Sequence, residues 1–275
     1  MADLARLSMN QVTLLEQCDM PRFLEVLARN EVRLASLWRD KTREHGVART
    51  KALLSEHGIA LSGYCWGGLL TSPDGAEAAR RRDDMRRALD EAALLGSPCL
   101  VFVAGGVDER ERSVAEARKR ALEGLAQIVP YARDVGVKIA LEPLHPMICA
   151  TRSVLSTTKL ANDWCDALRA EDIVGIAIDV YAVWWDPEVE TEIARAGRRI
   201  CAFHVSDWLA DTQDLRLDRG MMGDGVIDIA GLRRSVEQAG YAGPIEVEIF
   251  SKRNWWQRDA DEVTRVVRER FASAV

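Results

Sequence analysis

A closed (β/α)₈ barrel is the fold this sequence predicts, and three observations carry it. Short β-rich runs alternate with amphipathic stretches from end to end of the 275 residues. No low-complexity linker divides them, so the whole chain, 1–275, reads as one domain. That length is normal for one α/β barrel. A doubly wound open sheet is the alternative. Against it, no GxGxxG follows the first strand, no Walker lysine loop is present, and the alternation runs past six strands.

The elements follow in order. Leu7–Leu14 reads as strand 1, and Asp19–Asn30 as helix 1, with Asp19 as N-cap and Pro21 in the first turn. Val32–Trp38 is strand 2, and Thr42–His57 is helix 2, closed by Gly58. Ile59–Trp66 is strand 3 and Ala76–Leu95 a long charged helix 3. Pro98–Val103 is strand 4, and 108–135 contains helix 4. Val137–Glu142 is strand 5, Val154–Leu168 helix 5 and Ile173–Asp179 strand 6. Pro187 opens a short helix 6 ending near Ala196, and Arg199–Val205 is strand 7. After a long loop, Asp228 caps helix 7 to Ala239. Pro244–Ile249 is strand 8, and Ala260–Phe271 is helix 8.

Composition narrows the function classes. With 48% apolar and 29% charged residues the chain reads as soluble and globular. A net charge of −6 and a pI near 5.4 argue against a phosphate-neutralising surface, hence against nucleic acid as partner. The first residues, MADLARLSMNQ, lack a signal-peptide layout, and no apolar run approaches the roughly 18 residues that span a bilayer. The expectation is a cytoplasmic protein with no membrane partner. Six cysteines without CxxC spacing read as free thiols, with Cys99 and Cys201 inside strands.

Four consecutive strand-like runs carry the chemistry. VKIALE delivers Glu142, IVGIAID delivers Asp179, RRICAFH delivers His204 and GPIEVE delivers Glu248, each near a strand's C-terminal end. In a barrel those ends converge on one mouth. A carboxylate there is costly unless paired. Two Glu, one Asp and one His suit one divalent ion, with Mn²⁺ the first choice and Mg²⁺, Co²⁺ or Zn²⁺ alternatives. Alternation places Ala140, Ala177 and Ala202 one inward layer below three of them. Glu246 shares the inward face with Glu248 and is its rival as ligand. Each residue alone would read as a cap, an ion pair or a core histidine; their convergence is what points to a metal.

Here the chain resembles the sugar phosphate isomerase/epimerase family, the xylose isomerase-like TIM barrels. The resemblance is strongest from Val137 to Ser251, with GYAGPI leading to Glu248 and Arg219 preceding GDG. It implies that Glu142, Asp179, His204 and Glu248 bind one divalent metal and that Glu142 and Glu248 exchange a proton beside a substrate carbonyl. Arg219 is implied as a substrate contact. Many relatives carry a histidine three residues after the strand-6 aspartate; here Ala182 stands there, and His145 is the replacement imidazole. Relatives are often dimers or tetramers, so a homo-oligomer is compatible.

Asp207 and Trp185 complete the expected substrate-binding set. Asp207 also reads as a supporter of His204 or as an N-cap. The pairs Trp184-Trp185 and Trp255-Trp256 read as sugar-stacking faces at the mouth or as a subunit interface. Asp224 within GMMGDG would repel an anion, which favours an unphosphorylated keto-sugar or polyol over a sugar phosphate. The leading expectation is a metal-dependent sugar isomerase or epimerase. The alternative is a lyase on the same scaffold, eliminating from a keto-inositol or a 3-keto-glycoside. An apurinic endonuclease would need a His-rich zinc cluster, and this chain has four His. A non-catalytic partner subunit would respond to Glu142→Ala in assembly but not in turnover.

Overall fold

The structure is a computed structural model and describes residues 2–275. Eight parallel strands close into the expected barrel. They are β1 (Leu7–Asn10), β2 (Leu34–Trp38), β3 (Ala60–Gly68), β4 (Cys99–Val103), β5 (Lys138–Leu141), β6 (Val174–Asp179), β7 (Ile200–Val205) and β8 (Ile245–Val247). Each pairs with its sequence neighbours, and β1 closes on β8 through Leu7 opposite Ile245 and Met9 opposite Val247. Helices surround the strands, and their apolar faces form one continuous core with the strands' outer residues.

Several boundaries differ from the sequence expectation. Strand 1 stops at Asn10, and Gln11–Leu14 turns into a 3₁₀ helix because the Asn10 side chain accepts from the Val12 N–H. Helix 2 is two helices, Arg39–His45 and Val47–His57, broken where Gly46 adopts φ 101°. Helix 4 is likewise divided into Val114–Ala126 and Val129–Val135, with Pro130 in the first turn of the second. Helix 5 begins only at Thr158, where Thr157 accepts from the Leu160 N–H. The expected caps Asp19 and Asp228 accept from Arg22 and Gly231 respectively.

Inside the barrel, Cys99, Ala140, Ala177 and Ala202 form a separate buried cluster of small side chains. Small residues at this level leave room for the larger charged groups one layer above. Register sets that upper layer. Asp179 lies opposite His204, and His204 opposite Glu246. Glu142 and Glu248 follow the last residues of β5 and β8. The ladder continues into both, since Glu142 N–H donates to Phe102 O at 3.3 Å and Glu248 N–H to Val205 O at 3.1 Å.

At the top of β3 the chain passes tightly under β4. Gly68 has φ 135°, and a Cβ there would overlap the Val103 carbonyl oxygen. Gly68→Ala is expected to cost about 3 kcal/mol, combining backbone strain and overlap. Gly58→Ala, at φ 63° but in open space, is expected to cost about 1 kcal/mol. Denaturant unfolding of both variants checks the difference; equal losses would refute the close approach as the cause.

Candidate active site

The four expected ligands meet at the C-terminal mouth, all of them buried. His204 Nδ1 lies 3.0 Å from Glu142 Oε1. One atom each from Glu142, His204 and Glu248 fits within 4.8 Å of one another, the spacing of ligands around an ion. Asp179 stands slightly apart. Its Oδ1 accepts from the Tyr181 N–H at 3.0 Å, and its Oδ2 faces Arg219 Nη1 at 3.1 Å. Three of the four are therefore drawn together, and the fourth is joined to them through Arg219, which also reaches Glu248 Oε2 at 3.2 Å.

Glu246 is set differently from Glu248. Its Oε1 accepts from Asn10 Nδ2 at 2.7 Å and its Oε2 from Ser62 Oγ at 3.0 Å. The same Oε2 lies 3.7 Å from His204 Nε2. His204 therefore turns Nδ1 toward Glu142 and Nε2 toward Glu246. An outer carboxylate on the far ring nitrogen is how a metal-binding imidazole is oriented. Glu246 nevertheless remains within ion-holding range of Glu248 and Cys65. Asn10 Nδ2 spans both carboxylates, reaching Glu248 Oε1 at 3.1 Å, while its Oδ1 accepts from Trp38 Nε1 at 2.9 Å.

The charge does not balance. Glu142, Asp179, Glu246 and Glu248 are four buried carboxylates, met by one guanidinium and one imidazole. Burial, opposed by Arg219 and reinforced by Glu142, raises the Glu248 pKa to about 8. The His204 pKa is raised well above its ordinary value, because the attraction of Glu246 and Glu142 outweighs desolvation. Three buried atoms here lack a hydrogen-bond partner, Asp179 Oδ2, His204 Nε2 and Arg219 Nε. An excess of hard oxygen donors with one imidazole is a donor set that a divalent cation fits.

The other expected residues divide. His145 lines the pocket above Glu142 and Glu248. Its ring stacks on Trp208 at 5.0 Å, and its Nδ1 accepts from the Met147 N–H, so the neutral ring carries its proton on Nε2. Burial lowers its pKa. Arg219 also lines the pocket, with its guanidinium over the Tyr181 ring at 4.3 Å and Phe250 at 4.9 Å.

Asp207 and Trp185 are not among the residues lining the pocket. Asp207 accepts from the N–H groups of Trp208, Gly223, Gly225 and Ile227 at 2.9–3.0 Å. It is a clamp inside its own loop, where Asp207–Trp208 pairs antiparallel with Arg219–Gly220. Trp185 donates to Ala182 O and meets His145 edge-on at 5.9 Å, so it packs against a ring that lines the pocket. The second tryptophan pair is buried, with Trp256 Nε1 donating to Val12 O. Trp184 and Trp185 are half-buried. Sequence reasoning missed Asn10, Ser62 and Cys65, whose signal was only their place on β1 and β3.

Residues 22–270 match the family model described as xylose isomerase-like TIM barrel, and the chain belongs to that family. It is 27% identical over 227 residues to L-ribulose-5-phosphate 3-epimerase UlaE of Salmonella typhi, across 81% of this chain and 75% of that protein. Among solved structures it is similar to protein SMc04130 from Sinorhizobium meliloti 1021, at TM-score 0.96 and 44% identity with 99% of each chain covered. It is also similar to IolI protein with a binding zinc atom, at TM-score 0.86 and 19% identity over 98% of each chain; that likeness shows the fold alone. Among the described residues no helix is long and apolar enough to cross a membrane.

The Asp207 clamp gives a direct test. Asp207→Ala leaves four N–H groups without their acceptor and is expected to cost about 3 kcal/mol. Limited proteolysis should then cut within 209–227 before the barrel unfolds. Unchanged protection of that segment would show that the loop is held by something else.

Proposed function

We propose that this chain is a divalent-metal-dependent epimerase or isomerase of a carbohydrate, acting by proton abstraction next to a carbonyl. The observation that carries the reading is the convergence of Glu142, His204 and Glu248, with Asp179 joined through Arg219, under a pocket also lined by His145 and Tyr181. The named epimerase among its relatives supports the reaction class.

Glu142, Asp179, His204 and Glu248 would hold the ion, Mn²⁺ in the first instance. A bound divalent ion supplies Lewis acidity, polarising the substrate carbonyl and offsetting negative charge that develops on its oxygen. Glu142 commits one oxygen to His204 and lines the pocket. Glu248 lines the same pocket and is fixed by Asn10 and Arg219. One carboxylate takes the proton from the carbon beside the carbonyl, and the other returns a proton, to the opposite face of that carbon for an epimerase or to the neighbouring carbon for an isomerase. Burial raises carboxylate basicity, as the direction at Glu248 shows. Arg219, stacked between Tyr181 and Phe250, orients substrate oxygens and neutralises charge.

A lyase is the second reading, and His145 favours it. Its Nε2–H in the pocket could protonate a leaving group β to the carbonyl, turning the same abstraction into elimination. The expectation of an unphosphorylated substrate rested on Asp224 guarding the glycine-rich loop. That loop's amides are taken by Asp207, and Asp224 pairs with Arg270 at 3.2 Å. The loop therefore does not decide the substrate's charge.

Metal analysis of wild type beside Glu248→Ala and Glu246→Ala tests the reading. The expected result is about one Mn²⁺ per chain in wild type and none in Glu248→Ala. Glu246→Ala should keep the stoichiometry with affinity lowered roughly 10–100-fold, as for an outer-shell partner. No metal in the wild type after Mn²⁺, Co²⁺ or Zn²⁺ is added would sink the proposal. On a keto-sugar panel in D₂O, deuterium uptake with inversion supports the epimerase, and an unsaturated product supports the lyase.

A further inference from the structure

Two arginines at the pocket form no ion pair among the described residues. Arg152 and Arg216 both line the pocket above Glu142 and Glu248. Both also line the adjoining cleft along Trp38, Trp66 and Asp84. The other arginines of that cleft are matched. Arg39 is paired with Asp84 and Glu91, Arg43 with Glu91, and Arg81 with Glu77. Arg152, by contrast, lies with its guanidinium 4.2 Å over the Trp66 ring and forms no ion pair among the described residues. The hydrogen bond at Arg216 is made by its backbone N–H, to Asp214.

Half-burying the Arg152 guanidinium without a carboxylate partner is costly, and the Trp66 face offsets only part of that cost. Burial lowers the Arg152 pKa, and the nearby charge of Arg216 pushes the same way, with Glu142 opposing. Half-buried Arg152 and exposed Arg216 thus line the outer side of a pocket whose carboxylates, Glu142 and Glu248, are already engaged by His204, Asn10 and Arg219, in a chain of net charge −6. Stacking on Trp66 also holds the Arg152 fork in one plane, the arrangement that reads a planar or tetrahedral oxyanion.

We propose that Arg152 and Arg216 bind an anionic group on the substrate, a carboxylate or a phosphate. This rests on the carbohydrate reading above. The carbonyl end of the substrate sits at Glu142 and Glu248, and the charged end points along the cleft between Trp38 and Trp66. Neutral keto-sugars are then weak ligands, and the site selects a sugar acid or a sugar phosphate.

The test is calorimetric titration of the full chain with D-fructose, D-fructose 6-phosphate and 5-keto-D-gluconate, with Mn²⁺ and after chelation. Wild type, Arg152→Met, Arg216→Met and Arg152→Lys are compared, with melting temperatures to confirm folding. The expected result is that one anionic ligand binds at least about tenfold tighter than fructose, a preference of about 1.4 kcal/mol. Arg152→Met should abolish that preference, and Arg152→Lys should keep part of it. Which anion wins identifies carboxylate or phosphate. Equal binding of all three, binding of neither anion, or a preference that survives both methionine variants overturns the inference. If anions bind through the arginines while wild type takes up no metal, the metal-dependent reading falls and the anion site stands.

Discussion

Crowded negative charge at the mouth of the barrel is the constraint on which the rest depends. Four buried carboxylates are brought to the barrel mouth by strand register. Such an arrangement is unfavourable unless cations meet it. Arg219 supplies one positive charge and His204 a second when protonated. Asn10 and Ser62 contribute only dipoles. The whole upper layer reads as a device for keeping several acids close without collapse. The alanines below make the space, the aromatic rings of Tyr181, Phe250 and Trp38 enclose it, and the loop carrying Arg219 is tied down by Asp207.

Charge is arranged in two zones along the pocket. The floor is acidic, with His204 and Arg219 embedded in it. The outer wall is basic, with Arg152 and Arg216 free of carboxylates. A ligand with an electron-rich carbonyl at one end and an anion at the other would match both zones only in one direction. Orientation of the reacting carbon between Glu142 and Glu248 would then follow from electrostatics before any hydroxyl is read.

Much of this was legible in the sequence, for physical reasons. The barrel follows from alternation of β-rich and amphipathic runs, and the inward layer of alanines from the two-residue period of a strand. The meeting of Glu142, Asp179, His204 and Glu248 at one mouth needed only that strand ends converge. What the sequence hid depends on contacts between distant segments. Asp207 is three residues after His204, yet its carboxylate is spent on amides 16–20 residues later. Trp255 and Trp256 look like mouth residues, but Trp256 packs beneath with Val12 and Phe250. Arg152 and Arg216 are ordinary loop arginines until their lack of carboxylates is seen in three dimensions. The break of helix 2 at Gly46 was visible as a residue but not as a necessity, since a glycine within a helix is often tolerated.

The antiparallel pairing of Asp207–Trp208 with Arg219–Gly220 has a further consequence. It fastens both ends of 209–218, so that ten-residue insert is a cassette mounted on a rigid frame. Arg219 at its base serves the acidic floor, whereas Leu215 and Arg216 inside it face the outer wall. Natural drift or deliberate grafting could exchange the insert's length and side chains while the frame keeps Arg219 in place over the acidic floor. Entrance and floor are thereby separable parts of this barrel, so the rim of the pocket can change without dismantling its base.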